Sequence, residues 1–142
     1  MKPVLLFTCL ALLTSSLTCC HFGDNDIAPI FTKEGMWQAR NIETTKYGPN
    51  NQVVDQNSRI LNNGDMAIEF NEEKAIFNEY ENGALIKSGN YVNGDQPEKL
   101  VLISGTDSLE MQIVSMSASQ LVLQSQEVDA NGQSVQVINY ER

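Results

Sequence analysis

From Gly35 to Tyr140 the sequence is a succession of short β-prone runs, each closed by turn residues, with no sustained helical period. That pattern constrains the fold strongly, because a period of two sends alternate side chains to opposite faces and only a sheet uses it. Met66-Ala67-Ile68-Glu69-Phe70 and Leu109-Glu110-Met111-Gln112-Ile113 alternate most cleanly. Further runs are Gly35 to Thr45, Ala75 to Tyr80, Leu85 to Val92, Leu100 to Ile103, Leu121 to Gln124 and Val135 to Tyr140. Asn82-Gly83 is the strongest hairpin signal, since both residues tolerate the positive φ of a type I′ turn. Asn93-Gly94-Asp95, Gly105-Thr106-Asp107 and Asp129-Ala130-Asn131-Gly132 mark other turns, and Lys46 to Gly64 reads as the longest irregular connection. Short connections make consecutive strands antiparallel neighbours. Eight such strands either close into an up-and-down barrel or leave two open edges, and closure costs less. The expected fold is all-β, an eight-stranded antiparallel barrel.

Alternation also nominates the barrel interior. Met66, Ile68, Phe70, Tyr91, Leu100, Leu102, Met111, Ile113, Leu121 and Leu123 form the expected inward-facing set. A barrel of eight strands is just wide enough to be filled by side chains or to hold one small ligand. If it is open, Phe70, Tyr91, Leu102, Met111 and Leu123 are the candidate ligand-binding residues. Tyr91 would then supply a polar group, because a buried hydroxyl needs a partner.

The first twenty residues point to location. Lys2 precedes an apolar run from Val4 to Leu17, which is shorter than the ~20 residues of a membrane span and fits a secretory leader. Leu17-Thr18-Cys19-Cys20 at its exit resembles the bacterial lipobox, in which Leu and two small residues precede an acylated Cys. The resemblance implies residues 1–19 as the leader and Cys20 as the lipidated residue. Cys19 fits less well, since Leu17 and Thr18 would then occupy the two preceding places. Residues 20–34 are small, polar and acidic, and read as a flexible tether to a domain at 35–142.

Composition excludes several classes of function. All three cysteines, Cys9, Cys19 and Cys20, lie in or beside the leader, so the domain has no disulfide and no thiolate metal site. About 120 residues must therefore be held together by a packed core. The chain carries 9 Lys+Arg against 18 Asp+Glu, a formal charge of −9, and loses one more positive charge if Lys2 leaves. Such acidity disfavours nucleic acid and anionic headgroups, so membrane attachment falls to acyl chains, at ~0.8 kcal/mol per buried methylene. The single His is His21 in the tether, so no triad or imidazole base can be assembled in the domain. Adjacent Glu72 and Glu73 point different ways, and Asp129 to Gly132 lacks the later ligands of a calcium loop. No catalytic residue, metal or cofactor is expected.

Gly35-Met36-Trp37 resembles the Gly-x-Trp signature of lipocalins. With Gly89-Asn90-Tyr91, Lys99 to Leu102, Met111 to Ile113, Leu121 to Leu123, Gly132 and Tyr140-Glu141-Arg142, the order is similar to the lipocalin-like domain of many Gram-negative lipoproteins. The two later signatures of ligand-carrying lipocalins are not recognisable. The family usually adds a helix after the last strand, for which this sequence leaves no room. The resemblance implies that Trp37 closes the narrow end of the barrel under a basic side chain, for which Arg142 is the match. It also implies a non-catalytic protein anchored in the cell envelope, at the outer membrane. Two functions follow as expectations: the barrel holds a small apolar or amphipathic molecule, or a filled barrel serves as an interaction module through its loops or outer face. Lys46 to Gly64 would be a lid in the first and a docking loop in the second. Neither the ligand nor a protein partner is identified by the sequence.

Overall fold

The computed structural model describes residues 35–93 and 98–142. The leader, the tether, Cys9, Cys19, Cys20, His21 and the Gly94-Asp95 part of one expected turn lie outside the described residues. Among the described residues the structure is all-β, with strands β1 (Trp37–Tyr47), β2 (Val53–Ile60), β3 (Met66–Asn71), β4 (Ile76–Glu81), β5 (Ala84–Asn93), β6 (Lys99–Ser104), β7 (Asp107–Met116), β8 (Gln120–Asp129) and β9 (Gly132–Glu141). From β3 to β9 each strand pairs antiparallel with the next, and β9 pairs along β1 from Gln38 to Tyr47. β1 in turn meets β3 through Trp37–Ile68 and Gln38–Ala67, so β1 and β3 to β9 close an eight-stranded antiparallel barrel of lipocalin-like form.

β2 is the ninth strand and corrects the expectation of an irregular Lys46 to Gly64 segment. It pairs with β1 from Asn41–Ile60 to Tyr47–Val53, beyond the short β1–β3 contact, and all its residues are exposed. β1 and β2 thus form an arm that leaves the closed barrel. The strand carries no buried face, so the alternation that reveals a half-buried strand is missing from its sequence. Backbone hydrogen bonds to β1 hold it instead.

The turn chemistry follows the local sequence. Asn82 and Gly83 take φ of 51° and 77°, which lets β4 and β5 turn in two residues. The core is one cluster, centred on Trp37, Phe70, Phe77, Leu100, Leu102 and Leu121. Nine of the ten residues of the expected inward-facing set belong to it, and Met66, half-buried, packs against it.

One inward position controls how closely two strands approach. Gly89 lies opposite Phe77, and a Cβ there would fall 1.9 Å from the Ile103 carbonyl oxygen and 2.9 Å from the Phe77 ring. Only a glycine lets the Phe77 ring lie down across β5 while β6 crosses so near.

Candidate functional site

The five interior residues nominated as ligand contacts are core side chains. Phe70, Tyr91, Leu102, Met111 and Leu123 are all buried and touch the same cluster. The Tyr91 ring meets Phe70 edge to face, with centroids 5.3 Å apart and planes at 84°. Burial, and secondarily the Glu72 carboxylate, push the Tyr91 phenol above its ordinary pKa. Phe77, Ile138 and Tyr140, which alternation did not single out, are buried in the same cluster. The lower barrel is filled.

Trp37 and Arg142 meet at the base. Trp37 is fully buried, and the Arg142 guanidinium carbon sits 4.3 Å from its ring centroid. Arg142 Nε donates to the Ala118 carbonyl at 2.7 Å, and its backbone N–H donates to Ser119 at 3.2 Å. These bonds tie the end of the chain to the β7–β8 turn and hold the guanidinium over the indole. Next to this plug, a bulge at Arg40 in the β1–β9 ladder leaves that residue out of step. Its side chain bonds Glu141 at 3.1 Å and Asn63.

One acidic side chain also turns inward. Glu79 pairs with Ile68 and Lys87, so alternation turns it toward the barrel interior. Burial raises the Glu79 pKa, and the Lys87 ammonium partly offsets that rise. The Tyr140 phenol is raised far more, by near-complete burial and by the Glu79 carboxylate. Where β1 leaves β3, a hollow of about 140 Å³ opens among Ile42, Arg59, Met66, Glu79, Glu81 and Ile86. Ligand sites ordinarily span roughly 300–1,000 Å³, so this hollow admits only a few heavy atoms.

Larger concavities lie outside the barrel. β7 and β8 stay paired only from Met111–Ser125 to Met116–Leu121, so β8 parts from β7 beyond Ser125. The parting leaves a polar groove of about 410 Å³ on the outer face, lined by Glu110, Gln112, Gln124, Gln126 and Val128, with Lys99 bonded to Glu110 at 2.8 Å.

The arm is the most exposed feature. Ile42, Thr44 and Lys46 pair with Arg59, Asn57 and Asp55, and these pairs share the face that continues the barrel interior. Val53, Val54 and Ile60 stand 56%, 60% and 85% exposed on the same strand. Comparison with protein-family models finds no match for this chain, and comparison with curated proteins finds none either.

Proposed function

We propose that this chain is a non-catalytic, lipid-anchored protein of the cell envelope whose filled barrel acts as an interaction or accessory module. The observation that carries this reading is the packing of the interior. Every residue nominated as a ligand contact is buried in one core cluster, while an entire strand, β2, stands free of the core. A carrier needs the reverse arrangement, with apolar wall residues facing an empty volume. The Leu17-Thr18-Cys19-Cys20 motif supports an acyl anchor on Cys20 at the outer membrane, and residues 20–34 would tether the barrel to it.

Two experiments test this. The closed barrel and its core lie within residues 37–142, so a chain beginning at His21 contains what the fold needs. That chain, purified without detergent, should release no small molecule when native and denatured mass spectra are compared, and should bind no fluorescent fatty acid. A reproducible released molecule would overturn the module in favour of a carrier. In the full chain expressed in a Gram-negative host, palmitate labelling should disappear in Cys20→Ser and persist in Cys19→Ser. Labelling that survives Cys20→Ser removes the anchor from that residue.

A further inference from the structure

We propose that the free edge of β2 pairs antiparallel with β2 of a second copy of this chain, about a two-fold axis at Asn57. This rests on the proposed role of the filled barrel as an interaction module, and it names the partner.

The edge is open. β2 ends the strand order and pairs with β1 alone among the described residues. The Leu61 N–H donates to the Arg40 carbonyl at 2.9 Å, which sets the alternation along the strand. Counting back from Leu61, Arg59, Asn57 and Asp55 direct their backbone groups to β1, and Ile60, Ser58 and Gln56 direct theirs outward. Natural edge strands are commonly blunted by Lys or Pro, and Val53-Val54-Asp55-Gln56-Asn57-Ser58-Arg59-Ile60 contains neither. Its one irregularity is Val54, which bulges out between the Lys46–Asp55 and Tyr47–Val53 pairs near the start of the strand.

The register follows from complementarity. Outward-directed residues must face outward-directed residues, which permits axes at Gln56, Asn57 or Ser58. Only the axis at Asn57 sets Asp55 of each copy opposite Arg59 of the other. Asp55 already lies 3.8 Å from Lys46 across β1, at 60% side-chain exposure, so Arg59 of the second copy would extend a ladder of alternating charge. The same register places Gln56 opposite Ser58 and brings the exposed Ile60 close to the exposed, bulged Val54 at both ends. Opposite charges and apolar pairs directly across an antiparallel ladder are favourable. Arg–Asp pairing on both sides of a two-fold axis is what self-recognition by one strand requires.

An edge of this length belongs to the small, transient class of interfaces. Holding the chains on one membrane raises their effective concentration and offsets that weakness. The chain beginning at His21 contains no cysteine, so a single one reports the register. Asn57 sits in a non-hydrogen-bonded pair on the axis, where Cα atoms stand roughly 4.5 Å apart, within disulfide range. Asn57→Cys should oxidise to a covalent dimer about tenfold faster than Ser58→Cys, whose two copies lie beyond that range. The wild-type chain should rise from monomer toward dimer in sedimentation equilibrium over about three decades of concentration. Val54→Lys with Ile60→Lys should stay monomeric with an unchanged circular dichroism spectrum, because β2 carries no core residue. Equal oxidation of the two cysteine variants would overturn the register, and a wild-type chain that stays monomeric would overturn the pairing. So would slow exchange of the Gln56, Ser58 and Ile60 amides in dilute monomer, which would show the edge covered by the chain's own segment 21–34. A monomer that releases no ligand leaves the filled-module reading standing. Ligand release removes that reading whether or not the copies pair.

Discussion

Arg142 joins the last strand to the barrel base by three different contacts: a cation over an indole, a side-chain bond to Ala118 and a backbone bond to Ser119. Arg142→Ala should lower stability by about 0.5–2 kcal/mol from the cation–π contact alone. Arg142→Lys should recover only part of that, since an ammonium keeps the charge without the planar donor fork. Urea midpoints would measure both, with emission from Trp37, the single Trp, reporting the base. Gly89 offers the converse case, in which one added carbon harms. Gly89→Ala should cost about 1–3 kcal/mol by overpacking. Adding Phe77→Leu should not restore it, because the closest atom is the backbone oxygen of Ile103. Full recovery in that double variant would show that the ring, not the backbone, sets the limit. Residues on cleanly alternating runs were legible from sequence: Ile68, Phe70, Met111 and Ile113 all reach the core. Phe77 and Glu79 were not, because Ile76-Phe77-Asn78-Glu79-Tyr80 has apolar side chains on both faces. Only the pairing of Phe77 with Phe70 decides that Phe77, and with it Glu79, turns inward.

At the scale of the element, β2 marks what periodicity can and cannot reveal. A hydrophobic period records burial, not hydrogen bonding, so a strand exposed on both faces has no period to read. The expected Asn82-Gly83 hairpin was legible for the opposite reason, since its signal is a backbone requirement that burial does not alter. Hydrogen exchange supplies for β2 the signature its side chains lack. In dilute monomer the amides of Asp55, Asn57 and Arg59 should exchange more slowly than those of Gln56, Ser58 and Ile60, because the first set is bonded to β1. All should exchange faster than the amides of β9, which is flanked by β1 and β8 along its length. Uniform exchange along β2 would mean that the arm opens as a unit instead of holding its ladder.

The whole molecule sets the inward Glu79 carboxylate against a large excess of acidic residues, and this shapes its response to pH. The chain carries 18 Asp+Glu against 9 Lys+Arg, so self-repulsion opposes the compact state at neutral pH. Glu79 adds a specific contribution of the same sign. Its folded-state pKa lies above the ordinary 4.5, because burial disfavours the carboxylate more than Lys87 favours it. Between 4.5 and the raised value the folded state therefore binds more protons than the unfolded state. Stability should rise as pH falls through the raised pKa, reach its full gain below 4.5, and be lost again as pH climbs. Most carboxylates in folded proteins behave oppositely, since partners depress their pKa and acid removes their contribution. Glu79→Gln fixes the side chain in a neutral form of the same shape. The variant should be more stable than the wild type at neutral pH, and the difference should close as pH approaches 4.5. Thermal midpoints of both chains across that range would measure it. A wild-type chain that loses stability monotonically on acidification, with Glu79→Gln running parallel to it, would place the Glu79 carboxylate in water rather than in the barrel interior.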